Sequence, residues 1–279
     1  MNQITIGGDF SVGRLGFGAM RTCGAGVWGE PKDPAAARAL LREVAELGVT
    51  LIDTADAYGP EVNERQIADA LFPYPAGLHI ATKGGYTRPG PGRWVADGHP
   101  DHLIAACEAS LRRLKLDCLE LYQFHTPDPN VPFEESVGAF ARLREAGKIR
   151  HAGLSNVDVA QLRAAQKIVP IVSVQNSYNL GDRESEDVVQ ECVREGIAFL
   201  AYFPIDAGGL AKGKGVLAQV ARAHGATTAQ IALAWLLQHA PNVVPIPGTS
   251  SPAHLRENLA AAAITLSDEE MAQLDGVAA

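Results

Sequence analysis

Val49-Thr50-Leu51-Ile52-Asp53-Thr54-Ala55-Asp56-Ala57-Tyr58-Gly59 is the stretch on which the fold turns. Its β-branched and apolar start reads as a buried strand, and the run stops at a carboxylate. Residues 63–71 then carry apolar positions at helical spacing, and a second short run, Leu78-His79-Ile80-Ala81-Thr82-Lys83, ends in another charge. Strand, helix and strand within a few dozen residues make one crossover unit of a parallel sheet.

The unit recurs on both sides. Upstream, a hairpin-like start (Ile4, Ile6, then Phe10, Val12) precedes a first barrel strand over 15–18. Asp33 is placed to cap the next helix and Pro34 suits its first position. Leu40, Leu41, Val44 and Leu47 form its apolar stripe, and Gly48 ends it. Downstream, helix 101–114 leads to strand 118–125, and helix 133–146 to strand 149–155. Helix 157–168 leads to strand 172–175, and helix 184–195 to strand 197–203. A helical region over 216–239, a strand over 243–246, a helix over 252–262 and a tail over 267–274 complete the series. The repetition predicts an α/β chain forming a (β/α)8 TIM barrel, with residues 1–279 as a single domain, in preference to an open doubly wound sheet.

Composition narrows the function classes. The net charge of −8 argues against a broad nucleic-acid face but leaves room for a local phosphate pocket. No apolar run approaches the roughly 20 residues of a membrane span. Met1-Asn2-Gln3-Ile4 has no basic stretch leading into an apolar block, so no secretory leader is expected. The 4 cysteines (Cys23, Cys107, Cys118, Cys192) are widely spaced, which reads as reduced thiols in a cytoplasmic protein and not as a metal site. Polar outer helix faces suggest a monomer.

Catalytic residues of a barrel stand at the C-terminal ends of its strands. Asp53 ends the second strand, with Tyr58 in the loop beyond; Lys83 ends the third, and His125 the fourth, in Leu121-Tyr122-Gln123-Phe124-His125. Singly, such residues are turn caps, solvated ends or structural hydrogen bonders. Together on adjacent strand ends they form a cluster with a chemical use. A phenol ordinarily ionises near pH ~10, too high for proton exchange near neutrality. A cation at about 4 Å offers roughly 4 kcal/mol at an effective dielectric near 20, or about three pK units. Lys83 is therefore expected to bring Tyr58 toward neutrality, Asp53 to hold Lys83 and return part of that shift, and His125 to orient a carbonyl oxygen. No Ser or Cys nucleophile is evident, so hydride from a cofactor is the natural reactant.

The Asp53-to-Gly59 segment, with Lys83 and His125, resembles the catalytic tetrad of the aldo-keto reductase family, and the similarity runs over nearly the whole chain. That resemblance implies Tyr58 as general acid in reduction and base in oxidation. It also implies a nicotinamide cofactor, its carboxamide held by Ser155, Asn156 and Gln175 and its ring stacked on Tyr202. Pro247-Gly248-Thr249-Ser250-Ser251, with Leu255-Arg256-Glu257-Asn258, is similar to the family's adenosine-phosphate clamp, where Glu257 and Asn258 take the adenine side and a helix start faces phosphate. Gly248 and His254 stand where many members place cations. Thr249 and Ser250 remain as hydroxyl donors with Arg256 nearby, so NADPH (NADP+) is expected, with NADH the alternative.

Gly208 to Gly215 imitates P-loop spacing but lacks the Ser or Thr after the lysine. It suits a flexible loop over the cofactor pyrophosphate, with Lys212 or Lys214 touching phosphate. No G-x-G-x-x-G follows the first strand, so a Rossmann site is unsupported. Met20, Trp28, Tyr86 and Trp94 fall near the catalytic rim and suggest an aromatic-lined pocket for a small carbonyl substrate. The Leu15-to-Met20 opening, the Tyr58-Gly59-Pro60 turn and the 246–251 segment resemble a bacterial branch that includes pyridoxal reductases, which makes pyridoxal/pyridoxine the leading substrate pair. The competing class is a non-catalytic or regulatory nicotinamide-binding module on the same fold. An intact tetrad with no appended interaction segment favours the enzyme.

Overall fold

The computed structural model of the protein describes residues 3–278; Met1 and Asn2, read above for a leader, and Ala279 lie outside them. An antiparallel hairpin opens the chain, β1 (Gln3–Ile6) and β2 (Phe10–Gly13), pairing Ile4 with Val12 and Ile6 with Phe10. There follow β3 (Phe17–Gly18), α1 (Pro34–Glu46), β4 (Leu51–Asp53), α2 (Val62–Leu71) and β5 (His79–Gly84). A second hairpin, β6 (Tyr86–Gly90) and β7 (Arg93–Ala96), is inserted before α3 (Pro100–Leu114). The series continues with β8 (Leu119–Phe124), α4 (Phe133–Glu145), β9 (Ile149–Ser155), α5 (Val159–Gln166), β10 (Ile171–Ser177), α6 (Glu186–Glu195) and β11 (Ala198–Tyr202). Last come α7 (Gly215–Ala223), α8 (Thr228–His239), β12 (Val243–Pro245), α9 (Pro252–Ala260) and α10 (Asp268–Asp275).

Eight parallel strands neighbour one another in the order β3-β4-β5-β8-β9-β10-β11-β12. Gly16 N–H donates to Pro245 O at 3.0 Å and Gly18 N–H to Pro247 O at 3.3 Å, which closes the ring between the first and last strands. The fold is the expected (β/α)8 barrel. Leu40, Leu41 and Val44 of α1 bury against the sheet, and helices on every side do the same with their apolar stripes. Fully burying a leucine of this kind stabilises the fold by about 1.5–3 kcal/mol. Asp33 caps α1 as anticipated, accepting from Ala36 N–H at 2.9 Å.

Three local readings change. The first barrel strand is only Phe17–Gly18, and Leu15 before it packs with Leu233 and Ala261. Leu47 follows the last turn of α1 and is 38 % exposed, outside the buried stripe. The helical region after β11 breaks into two helices at Gly225, whose φ is +59°, and Thr227 starts α8 with a capping box closed by Gln230.

Side chains two apart on a strand share a face. The inward faces carry Leu51, Ala81, Leu121, Leu200 and Val244 at the lower level, and these pack with Ile6, Phe10 and Val12 of the first hairpin. That hairpin stops the lower mouth. Two residues further up, the same faces carry Asp53, Lys83, Gln123 and Tyr202. Among the described residues no helix is long and apolar enough to cross a membrane.

Candidate active site

Strand register assembles the site. Asp53 lies opposite Ala81, Lys83 opposite Gln123, Gln123 opposite Gly153, and Ser155 opposite Gln175. With a period of two, Asp53, Lys83, His125, Ser155, Gln175 and Tyr202 all face the barrel axis at its upper rim. Gly153 is required inside this ring: a Cβ there would lie 2.3 Å from Ser173 Oγ and 2.8 Å from Gln123 Cγ.

The four residues singled out for chemistry meet. Lys83 Nζ, wholly buried, donates to Asp53 Oδ2 at 2.7 Å, to Thr54 O at 2.9 Å and to Tyr58 Oη at 3.3 Å. All three ammonium protons thus have acceptors. The Tyr58 and His125 rings stand edge to face, centroids 5.8 Å apart. Asp53 also accepts at Oδ1 from Gln175 Nε2 at 2.8 Å and Gln123 Nε2 at 3.3 Å. Gln123 escaped the sequence reading; its only signal was an amide inside an apolar strand, two residues before His125.

The electrostatics correct one expectation. Burial, working against the pull of Lys83 and helped by Asp53, pushes the Tyr58 phenol up to about 12. Lys83 does not bring it toward neutrality, because the phenol has lost its water and the nearby Asp53 carboxylate opposes the pull of the ammonium. Burial works against the Lys83 ammonium as well, but Asp53 and Tyr58 outweigh it and hold its pKa above the usual range. Burial, then Lys83 and Arg88, push His125 well below the ordinary imidazole range, so the ring is neutral. Its Nδ1 is buried with no hydrogen-bond partner.

Above the cluster opens a cavity of about 450 Å³. Asp53, Tyr58, His125, Ser155, Asn156, Gln175 and Tyr202 line one end, and Gly248, Thr249 and Ser250 the other. Asn156, at φ +59°, donates from Nδ2 to His125 O at 2.9 Å and accepts at Oδ1 from Tyr202 Oη at 2.7 Å, which fixes the Tyr202 ring. Met20, Tyr86 and Trp94 also line the cavity; Trp28 does not, and lies behind Trp94 against Arg88.

At the far end several candidates sit differently from their reading. Gly248 has no space for a side chain, since a Cβ would come 2.6 Å from Gly18 O. Arg256, counted as a nearby cation, pairs with Glu43 of α1 at 2.6 Å. Arg21, absent from the reading, lines the cavity with its Cγ 3.4 Å from where that Cβ would be. Ser251 caps α9 by accepting from His254 N–H at 3.4 Å. His254, Glu257 and Asn258 stand outside the cavity lining: Glu257 accepts from Thr227 Oγ1 at 2.7 Å, and Asn258 is buried. Of the 206–215 loop, Ala207 and Gly208 reach the cavity, whereas Lys212 and Lys214 do not line it. Among the described residues no group of three or more His, Cys, Asp or Glu side chains is placed to hold a metal.

Residues 14–279 match the family model described as Aldo/keto reductase family. The pyridoxine 4-dehydrogenase of Escherichia coli (strain K12) is 43% identical over 283 residues, covering 99% of this chain and 98% of that protein. A thermostable aldo-keto reductase crystallised with the inhibitor epalrestat superposes with a TM-score of 0.88 at 35% identity, covering 99% of this chain and 100% of the other. An aldo-keto reductase from Klebsiella pneumoniae crystallised with NADPH gives 0.83 at 30% identity, covering 99% and 95%.

Proposed function

Since the chain belongs to the aldo/keto reductase family and is an NAD(P)H-dependent oxidoreductase, we propose that it reversibly reduces an aldehyde or ketone to an alcohol, with Tyr58 as proton donor. The observation that carries this reading is Lys83 Nζ within reach of both Asp53 and Tyr58 beneath a cavity that His125 lines.

The residues fit a reduced nicotinamide dinucleotide. The Ser155 hydroxyl offers a donor and the Asn156 Oδ1 and Gln175 Oε1 oxygens offer acceptors for a carboxamide, since both amide nitrogens are already engaged, and Tyr202 offers a fixed ring face. At the other end, Gly248, Thr249, Ser250 and the start of α9 suit phosphate. Such a cofactor supplies hydride from its C4 carbon. The chain's own residues handle the proton. His125, held neutral and with no partner at Nδ1, carries its proton on Nε2 and donates it as a hydrogen bond to the carbonyl oxygen. Tyr58 gives that oxygen its proton as charge develops there, and Lys83 steadies the phenolate left behind. Asp53, held by Gln175 and Gln123, keeps Lys83 in place. In oxidation Tyr58 takes the proton back.

NADPH is the proposed cofactor, in line with the Klebsiella relative's complex, with Arg21 supplying positive charge where Gly248 has none. The proposed substrate is a planar aromatic aldehyde, pyridoxal being the first candidate given the E. coli relative's name. We read residues 1–279 as one catalytic domain working as a monomer. Tyr58→Phe is expected to bind NADPH with parental affinity while losing nearly all reduction; reduction near the parental rate removes the assignment. Fluorescence titration should show tighter NADPH than NADH, and equal dissociation constants refute the cofactor choice.

A further inference from the structure

The hairpin β6–β7 stands on the upper rim outside the strand pairing of the barrel. It forms a separate two-stranded sheet, its register slips between Thr87 and Gly90, and Val95 is exposed. An isolated two-stranded hairpin is marginally stable. Yet it carries two of the cavity's aromatic walls, Tyr86 and Trp94. Tyr86 packs edge-on against His125 at 4.7 Å between centroids. Trp94 packs against Tyr86 at 5.4 Å, and against Tyr58 and His125 at 6.3 Å each.

Beyond that ring packing, one side chain ties the hairpin to neighbouring loops by hydrogen bonds. Arg88 Nη1 donates to Ala57 O at 2.8 Å, the residue before Tyr58, and to Val27 O at 3.3 Å in the first barrel loop. Its Nε donates to Arg93 O at 3.0 Å across the hairpin turn. The guanidinium carbon lies 3.6 Å from the centre of the Trp94 ring, face-on to the cation, with Trp28 at 5.5 Å on another side. A planar guanidinium suits this double duty, stacking on an indole while its edge donates to carbonyls. Arg88 does not itself line the cavity.

We propose that Arg88 is a positioning residue for substrate selection: by fastening the β6–β7 hairpin to the Tyr58 loop it holds Trp94 as a rigid wall, which makes the pocket favour planar aromatic carbonyl compounds over small aliphatic ones. This rests on the cavity being the carbonyl site, as proposed above. Trp94 and Tyr86 meet at an interplanar angle of 80°, so they form a corner that a flat ring fills by stacking on one wall and abutting the other. A small aliphatic aldehyde touches neither wall well and gains little from their rigidity.

The test uses the whole protein with NADPH, benzaldehyde and propanal, in Arg88→Met, Trp94→Leu and the double variant. Met keeps an apolar stem under the indole and removes the donors. Arg88→Met should raise KM for benzaldehyde about tenfold, with kcat and the propanal constants within about twofold. In the Trp94→Leu background the same change should add less than about twofold, because its effect runs through Trp94. An equal loss on both aldehydes, or the full loss persisting without Trp94, overturns the proposal. A second arm needs no catalysis. Hydrogen exchange in the free protein should quicken over residues 86–96 in Arg88→Met and stay unchanged elsewhere; unaltered exchange there overturns the proposal even where reduction is intact. A parent protein that reduces neither of these aldehydes nor pyridoxal sinks the reductase reading and leaves the exchange arm to judge the hairpin.

Discussion

Replacing Lys83 by Met separates what the buried ion pair does for the fold from what it does for the phenol. Lys83 and Asp53 are 2.7 Å apart and almost wholly out of water. At an effective dielectric near 20 their attraction is about 6 kcal/mol. Removing one partner leaves Asp53 charged with only Gln175 and Gln123 as donors, and leaves Thr54 O without the ammonium. Breaking a buried pair in this way destabilises by about 3–5 kcal/mol, because an unpaired charge stays behind. For a chain of this size that lowers Tm by roughly 6 to 20 °C. Adding Asp53→Asn removes the stranded charge, so the double variant should recover most of the stability. Reduction behaves differently: both variants lack the cation beside Tyr58 Oη and should stay at least about a hundredfold slow. The assay pairs urea unfolding with steady-state NADPH oxidation on one aldehyde. A Lys83→Met protein as stable as its parent refutes the burial argument. A double variant that regains near-parental turnover refutes the electrostatic one.

Two further outcomes follow from the same environments. His125 is held neutral as pH falls below 6.5 and Tyr58 is held protonated as pH rises past 10, since burial depresses the first pKa and raises the second to about 12. The reduction rate at saturating substrate should therefore be level from about pH 6 to 9, and a drop centred near the ordinary histidine pKa would contradict the neutral imidazole. Cys23, Cys107 and Cys192 are buried, their thiols pushed up to about 12 chiefly by burial, whereas Cys118 is exposed. Titration with Ellman's reagent at pH 8 should release one thiol equivalent from the native protein and the full set only in denaturant; rapid reaction of several native thiols would mean the barrel wall is looser than described.

The barrel was legible in the sequence because its cue is local: short apolar runs alternate with helical stretches that carry their own stripe, and several of the runs end in a polar residue. Asp53, Lys83 and His125 could be picked out for the same reason, standing at the ends of such runs. What stayed hidden depends on register or on distant partners. Gln123 looks like a misplaced amide until the pairing of Lys83 with Gln123 puts it under Asp53. Arg256 reads as a free cation until the chain's far half brings Glu43 beside it. The phenol's shift ran opposite to expectation because pair electrostatics can be guessed from spacing, whereas desolvation cannot. The β6–β7 hairpin did leave a trace: Pro89-Gly90-Pro91-Gly92 between Arg88 and Arg93 is a turn signal flanked by strand-type positions.

The first hairpin, with Phe10 wedged between the rings of His79 and His151 at 5.0 and 5.4 Å, gives the molecule a blind end. With the base stopped in this way, the cavity is approached from the upper rim. On the reading proposed above, a dinucleotide laid from Gly248 to Tyr202 and a carbonyl compound beside Trp94 would both come and go across that rim. Departure over the rim is then one of the steps that can set the pace of turnover.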